Sequence, residues 1–214
     1  MSNLSQDVNI RVLQAALTLF GRHGLQRTSM ADVAAEAGIA RATLYLRFRD
    51  KRALFEASAD WLVAHALSLA EAAWQPEAPF AENLEATILA KDLPLYRVLH
   101  ASPHGAALLA ADSELTREHA QRLDAGFAAL LERRAHEASG HGADFAAYGG
   151  LEGFGAFVAT AAAGLKHETQ MEAAYCAAVR RLSLVVAAAA RLHHDNGKKT
   201  DDVTIGKLRT QRPR

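Results

Sequence analysis

Apolar residues recur at helical spacing at the start of the chain: Val8, Val12, Leu13, Ala16, Leu17 and Phe20 share one face. Gly21 and Gly24 bracket the stop of this helix, and Arg22 and His23 suit the negative end of its dipole. Ser29 followed by Asp32 forms a capping box and predicts a second helix from Met30 to Ala37, stopping at Gly38. A third helix starts near Ala40 and covers Thr43, Leu44 and Tyr45. Asp50 caps a long fourth helix with Leu54, Phe55, Trp61, Leu62 and His65, ending before Pro76.

The remainder also reads as helix. Phe80 to His100 forms one helix, bent or broken near Pro94, and Ser102–Pro103 opens a short one. Ser113 starts a long amphipathic helix through about Glu137, with Leu115, Leu123, Phe127, Leu130 and Leu131 inward. A glycine linker, Gly140 to Gly142, leads to two apolar helices, about Asp144–Ala163 and Glu168–His194, the latter with a capping box at Thr169 and Glu172. Strand-favouring runs are few, so the expected class is all-α. Beyond Asn196–Gly197 the chain turns polar and basic, the composition of a mobile tail.

The two short helices around Gly38 have the spacing of a helix-turn-helix. Val33, Ala34, Ala37, Ile39 and Leu44 supply small contacts that hold two short helices at a steep angle. The second then offers a narrow edge of Ala40, Arg41, Thr43 and Arg47 to a major groove. Arg41 is the first choice as a base reader, and Arg47 reads or clamps. Thr28, Thr43, Tyr45 and Lys51 are the phosphate candidates, Lys51 gaining from the free N–H groups of a helix start. Taken alone, the same residues also fit a basic corner of any helical protein, with Tyr45 simply packed.

Charge sharpens the picture. The 214 residues are neutral overall, but residues 1–55 carry eight Lys and Arg against four Asp and Glu. Residues 56–190 carry nine against seventeen, and the last 24 carry seven against three. A basic head, an acidic body and a basic tail are hidden in the average. Cys176 is the one cysteine, which excludes an intrachain disulfide and suits a reducing interior. There is no signal pattern at the amino terminus, and the apolar run Leu182 to Ala190 is too short to span a bilayer, so a cytoplasmic protein is expected.

The head resembles the TetR family of bacterial transcription regulators. The resemblance rests on a first helix ending in Phe20 and Gly24, then Thr28-Ser29-Met30, Ala34, Ala37-Gly38-Ile39, Thr43-Leu44-Tyr45, Phe48, Lys51 and Leu54. It covers roughly residues 10–56. It implies a three-helix DNA-binding domain over residues 1–52 and a helical ligand-binding and dimerising body over residues 53–195, followed by the tail, 196–214. It also implies repression from a palindromic operator as a homodimer, relieved by a small organic effector. The family's phosphate positions fall on Thr28, Tyr45 and Lys51, and its base-reading region on Ala40, Arg41, Ala42 and Thr43 with Arg47. Ala42 departs from the glycine usual before Thr-Leu-Tyr, so an operator sequence does not carry over.

In the body, the last two helices carry Phe154, Phe157, Tyr175, Val179, Leu182 and Val186 among small residues, which fits a four-helix homodimer interface or the monomer core. Trp61, His65, Tyr96, His100, His119, Phe127 and Tyr148 lie on the helices that line the central cavity in proteins of this type and are the ligand-pocket candidates. Neither a metal nor a cofactor is expected. His100 and His104 have i,i+4 spacing, but Pro103 interrupts them and no third ligand follows. No phosphate-cradling glycine loop and no local nucleophile–base pattern argues for an enzyme. The competing class is an all-helical interaction protein whose basic head docks a protein or a membrane surface.

Overall fold

The computed structural model describes residues 3–100, 114–140 and 142–196. They form eight α-helices and no strand: α1 Asn3–His23, α2 Met30–Glu36, α3 Arg41–Tyr45, α4 Lys51–Ala73, α5 Phe80–His100, α6 Glu114–Ser139, α7 Gly150–Glu168 and α8 Glu172–Asn196. A single 3-10 turn, Ala146–Tyr148, precedes α7. The short helix expected at Ser102–Pro103 and the tail after Asn196 lie outside the described residues.

Two apolar clusters organise these helices. The first joins α1 to the start of α4 through Val12, Ala16, Phe20, Val33, Leu44 and Leu54, and Phe20 meets Phe55 with ring centroids 5.8 Å apart. The second gathers Ala70, Leu84, Ile88, Phe127, Leu131, Phe154, Val158, Tyr175 and Val179 from α4 to α8. Only α4 contributes buried residues to both: Leu54 and Phe55 at one end, Ala70 at the other.

Several local expectations need correction. α1 begins at Asn3, five residues before the apolar period, because its first turns are polar and carry no facial pattern. α5 is not broken at Pro94. The helix expected from Asp144 starts at Gly150, after Gly149 and Gly150 adopt φ values of +81° and +92°, where a Cβ would be strained. Thr169 caps no following helix: its hydroxyl donates to the Leu165 carbonyl at 2.7 Å, closing α7, and α8 starts at Glu172. The stretch Glu172–Ala190 is also long and apolar enough to cross a membrane by composition. In this fold its Tyr175, Val179, Val186 and Ala190 belong to the body core.

Close helix packing has a visible cause at Gly155. A Cβ there would lie 2.5 Å from the Ala128 carbonyl oxygen of α6, whereas one at Gly164 would meet nothing within 4 Å. Gly155→Ala is therefore expected to destabilise the protein by about 1 to 3 kcal/mol. Gly164→Ala is expected to stabilise it by about 0.5 to 1 kcal/mol, through helix propensity and a less free unfolded chain. Urea melts followed by circular dichroism check both, and equal effects would refute the close approach.

Candidate nucleic-acid interface

The geometry of the head starts at two caps. The Ser29 hydroxyl accepts from the Asp32 N–H at 3.2 Å, and Asp32 Oδ2 accepts from the Ser29 N–H at 2.8 Å. Hydrogen bonds from the Ser29 side chain and backbone hold the Asp32 carboxyl below the ordinary carboxylate range. At the far end of α2, Gly38 takes φ +66° while the Ile39 N–H reaches back to the Ala34 carbonyl at 3.0 Å. This Schellman-type closure reverses the chain in two residues and sets α3 against α2. Leu44 then locks the phase of α3: it is fully buried, so its neighbours are forced outward.

That outward edge is Ala40, Arg41, Ala42 and Tyr45, all exposed, with Thr43 half-buried beside them. Arg41 and Tyr45 act as a pair. The guanidinium carbon lies 5.5 Å from the Tyr45 ring centroid, and Nη2 is 3.4 Å from the phenol oxygen. Tyr45 keeps 43% of its surface exposed, so it is not the packed tyrosine of the bland reading. Asp50 caps α4 through the Ala53 N–H at 2.8 Å, and Lys51 follows in the first turn. Lys51 Nζ donates to the Gln26 and Thr28 carbonyls at 3.1 and 3.0 Å, which fixes the ammonium over the loop before α2. A concavity of about 470 Å³ lies there, lined by Gln26, Arg27, Thr28, Tyr45, Arg49 and Lys51 among others.

Two candidates are placed differently from expectation. The Thr28 side chain is buried, and its hydroxyl donates to the Gly24 and Leu19 carbonyls at the end of α1. It is thus a clasp for α1 rather than a hydroxyl offered to a phosphate. Arg47 lies two residues past α3, half-buried, with Nη1 donating to Asn9 Oδ1 of α1. Sequence reasoning passed over Arg49, which stands exposed on the wall of the concavity. The run of basic residues from Arg47 to Arg52 was its only signal.

The body departs further from expectation. Phe154, Tyr175, Val179 and Val186 are buried in the single chain, so they face its own core and cannot form an outer interface. Of the expected interface residues, Leu182 is half-buried and Phe157 is exposed; among the described residues, the exposed large apolar side chains on α7 and α8 are Phe157, Leu184 and Val185. The ligand-pocket candidates do not converge. Trp61 packs against the head cluster and stacks on His65 at 4.7 Å. His119 Nε2 sits 3.2 Å from Asp60 on α4. Phe127 lies under the buried Lys91 ammonium, Tyr96 donates to the Thr169 carbonyl and stacks on Tyr175, and the exposed His100 stacks on Tyr96 at 3.9 Å. Tyr148 donates to the Val186 carbonyl between Phe154 and Phe157. A cleft of about 400 Å³ in the body is walled instead by Trp74, Phe80, Asn83, Arg134, Phe145 and Ala187 with their neighbours, and by none of the expected residues.

Comparison with known proteins places the head. Residues 12–58 match the family model of bacterial regulatory proteins of the tetR family. The uncharacterized HTH-type transcriptional regulator YvdT of Bacillus subtilis (strain 168) is 40% identical over 57 residues, 27% of this chain and 29% of that protein. The first curated relatives are thus matched over less than half of their length. Likeness over the whole chain is one of fold. SmeT, in its complex with triclosan, superposes with a TM-score of 0.61 at 16% identity, covering 97% of this chain and all of that one. A TetR/AcrR-family regulator from Thermobifida fusca does so at 0.58 and 19%, covering 85% of this chain and 97% of that one.

The head separates stability from surface chemistry, and this is measurable. Leu44→Ala is expected to lose about 2 to 5 kcal/mol through the cavity it leaves. Arg41→Ala and Tyr45→Phe are expected to leave the thermal midpoint unchanged to within about 1 °C, because their side chains support no buried contact. A calorimetric melt in which Arg41→Ala destabilises as much as Leu44→Ala would refute this assignment of faces.

Proposed function

We propose that this chain, a TetR-family transcriptional regulator by its amino-terminal domain, is a repressor that binds a palindromic operator as a homodimer and leaves it when a small organic effector binds the body. The observation that carries the reading is the exposed Arg41–Tyr45 pair on a helix whose opposite side is fixed by buried Leu44. A recognition helix needs that division: a rigid inner face and a free outer edge. Arg41 and Thr43, with Ala40 and Ala42, form the base-reading edge, and the Ala42 methyl is a candidate for contact with a thymine methyl. Tyr45 and Lys51, with Arg49, line the neighbouring concavity as phosphate contacts. Thr28 contributes through the α1 end it holds in place.

The dimer reading is supported by the apolar residues that the single chain leaves in water. Phe157, Leu184 and Val185 are 48, 54 and 66% exposed on α7 and α8, the pair of helices a four-helix interface would use. Two heads carried by such a dimer would address half-sites about 34 to 36 Å apart, one turn of the duplex. Effector control is supported by α4, which runs without interruption from the head cluster into the body cluster, so a shift in the body alters the pose of the head. SmeT, which shares the fold, has been solved in complex with triclosan, a small organic molecule, in keeping with an effector of that kind here. Occupation of a promoter by the dimer gives repression.

Selection of duplex DNA by the purified protein is expected to recover a short palindrome. Arg41→Ala should weaken binding to it about 10- to 100-fold, as for loss of one bidentate base contact. Lys51→Gln should weaken specific and nonspecific DNA alike and flatten the salt dependence by about one unit of slope. Sequence-blind binding, unchanged by Arg41→Ala, would leave only a helical interaction protein. The double change Phe157→Glu, Val185→Glu should yield a folded monomer in sedimentation velocity and abolish palindrome binding. A persisting dimer would move the interface off this face.

A further inference from the structure

Among the described residues, the body buries two lysines beside one aspartate. Lys91 and Asp92 of α5 have side chains with no exposed surface, and Lys166 of α7 is 9% exposed. Both oxygens of Asp92 already accept: Oδ1 from Lys166 Nζ at 2.9 Å, and Oδ2 from the Tyr175 hydroxyl at 2.8 Å. Lys91 Nζ lies 3.1 Å from Oδ1 and 4.3 Å from the Phe127 ring centroid, yet it makes no hydrogen bond. Two ammonium groups therefore share one carboxylate. Asp124 of α6 also acts on Lys91, but only through space, and is itself exposed.

Two further buried polar groups lie on α5 and α8. Thr87 Oγ1, one turn before Lys91 on the same helix, is buried without a partner, and so is Ser183 Oγ on α8. α5 and α8 run antiparallel, pinned by Arg97–Glu172 at 2.6 Å and by Asp92–Tyr175, and this register brings Ser183 level with the Thr87 turn. Buried donors are almost always paired, and a buried cation without a hydrogen bond is among the least favourable arrangements a core can hold. Burial accordingly pushes the Lys91 ammonium toward its neutral form. The cleft near Trp74 makes a weaker demand: Arg134 Nε on its wall is also buried without a hydrogen bond, but that guanidinium is already paired with Glu71 and Glu137, and Asn83 has its amide nitrogen and oxygen satisfied by Gln75 and Ala78.

Resting on the reading of the body as an effector domain, we infer that its effector is a small organic carboxylate whose anionic group pairs with Lys91 while its apolar part packs on Phe127. Thr87 and Ser183 supply hydroxyls to further polar atoms of the ligand. The ammonium has no exposed surface, so binding requires α5, α6 and α8 to part. A ligand that binds only the parted form shifts the population toward it, which is the differential affinity that release from DNA requires.

The test uses the full chain, melted alone and with millimolar benzoate, salicylate, phenylacetate or octanoate, each beside its primary amide. At least one carboxylate is expected to raise the midpoint by about 3 °C or more while its amide does not. Lys91→Met should remove that shift and, by deleting an unbalanced buried charge, melt no lower than the wild type without ligand. No shift with any carboxylate, an equal shift with the amide, or a shift that survives in Lys91→Met would each overturn the inference. If Lys91→Met does not fold, Lys91→Gln takes its place, and the wild-type carboxylate–amide comparison decides in any case. Operator release followed on the same samples separates the two readings. Release by neutral compounds alone sinks the carboxylate and keeps an effector-gated regulator. A carboxylate shift in a protein that selects no DNA site sinks the regulator and keeps the anion site.

Discussion

The structure depends on one continuous helix belonging to two cores. α4 has 23 residues, about 35 Å of nearly rigid rod. Its first turns bury Leu54 and Phe55 among Val12, Phe20 and Leu44, and its last turns bury Ala70 with Leu84 and Phe127. Neither end can rotate alone without dragging the other, because close-packed interiors transmit a shift rather than absorb it. The rod is also tied sideways midway along. Asp60 accepts from Arg122 of α6, a bond that holds its carboxyl below the ordinary range, and His119 approaches the same oxygen. Further along, Leu67 lies where a Cβ at Gly126 would come within 2.7 Å of it. The pose of the head is thus set by how α4 rests on α6.

This division explains how one short helix can be both structural and chemical. Within the five residues of α3, Leu44 is fully buried, and Arg41, Ala42 and Tyr45 face water. The inner face holds the angle of the helix, and the outer face is free of packing duties. The turn before it is held by local closures, Ser29 with Asp32 and Gly38 with Ile39, which do not draw on the outer residues.

Those closures are why the head was legible in the sequence. A capping box, a left-handed glycine and an aspartate cap are short-range devices, and each occurs where the residue order implies it. What the sequence left hidden was set by distant partners. That Thr28 closes α1, and that Arg47 reaches Asn9 across 38 residues, follows from packing and not from spacing. The body was less legible for a different reason. α7 is rich in alanine and glycine and apolar at most positions, so its periodicity separates the inner face from the outer only weakly. Phe154 and Phe157, three residues apart, fall on opposite sides of that question: one fully buried, the other half in water. Of the two settings the sequence allows Tyr175, interface or monomer core, it takes the core, where its hydroxyl serves Asp92, a partner 83 residues away.

The same two helices bring the proposed events together. Lys166 and Tyr175 reach inward from α7 and α8 to Asp92, while Phe157, Leu184 and Val185 stand on their outer surfaces. Any anion that entered beside Lys91 would compete for the links that hold α5 to this pair. It would therefore act on the outer face that a second copy would cover, and, through α5 packed on α4, on the rod that carries the head. Coupling by this route needs no dedicated relay between distant sites. It needs only that the buried ammonium be unbalanced when the body is closed and balanced when it is open, because that difference alone gives a ligand preference for one state.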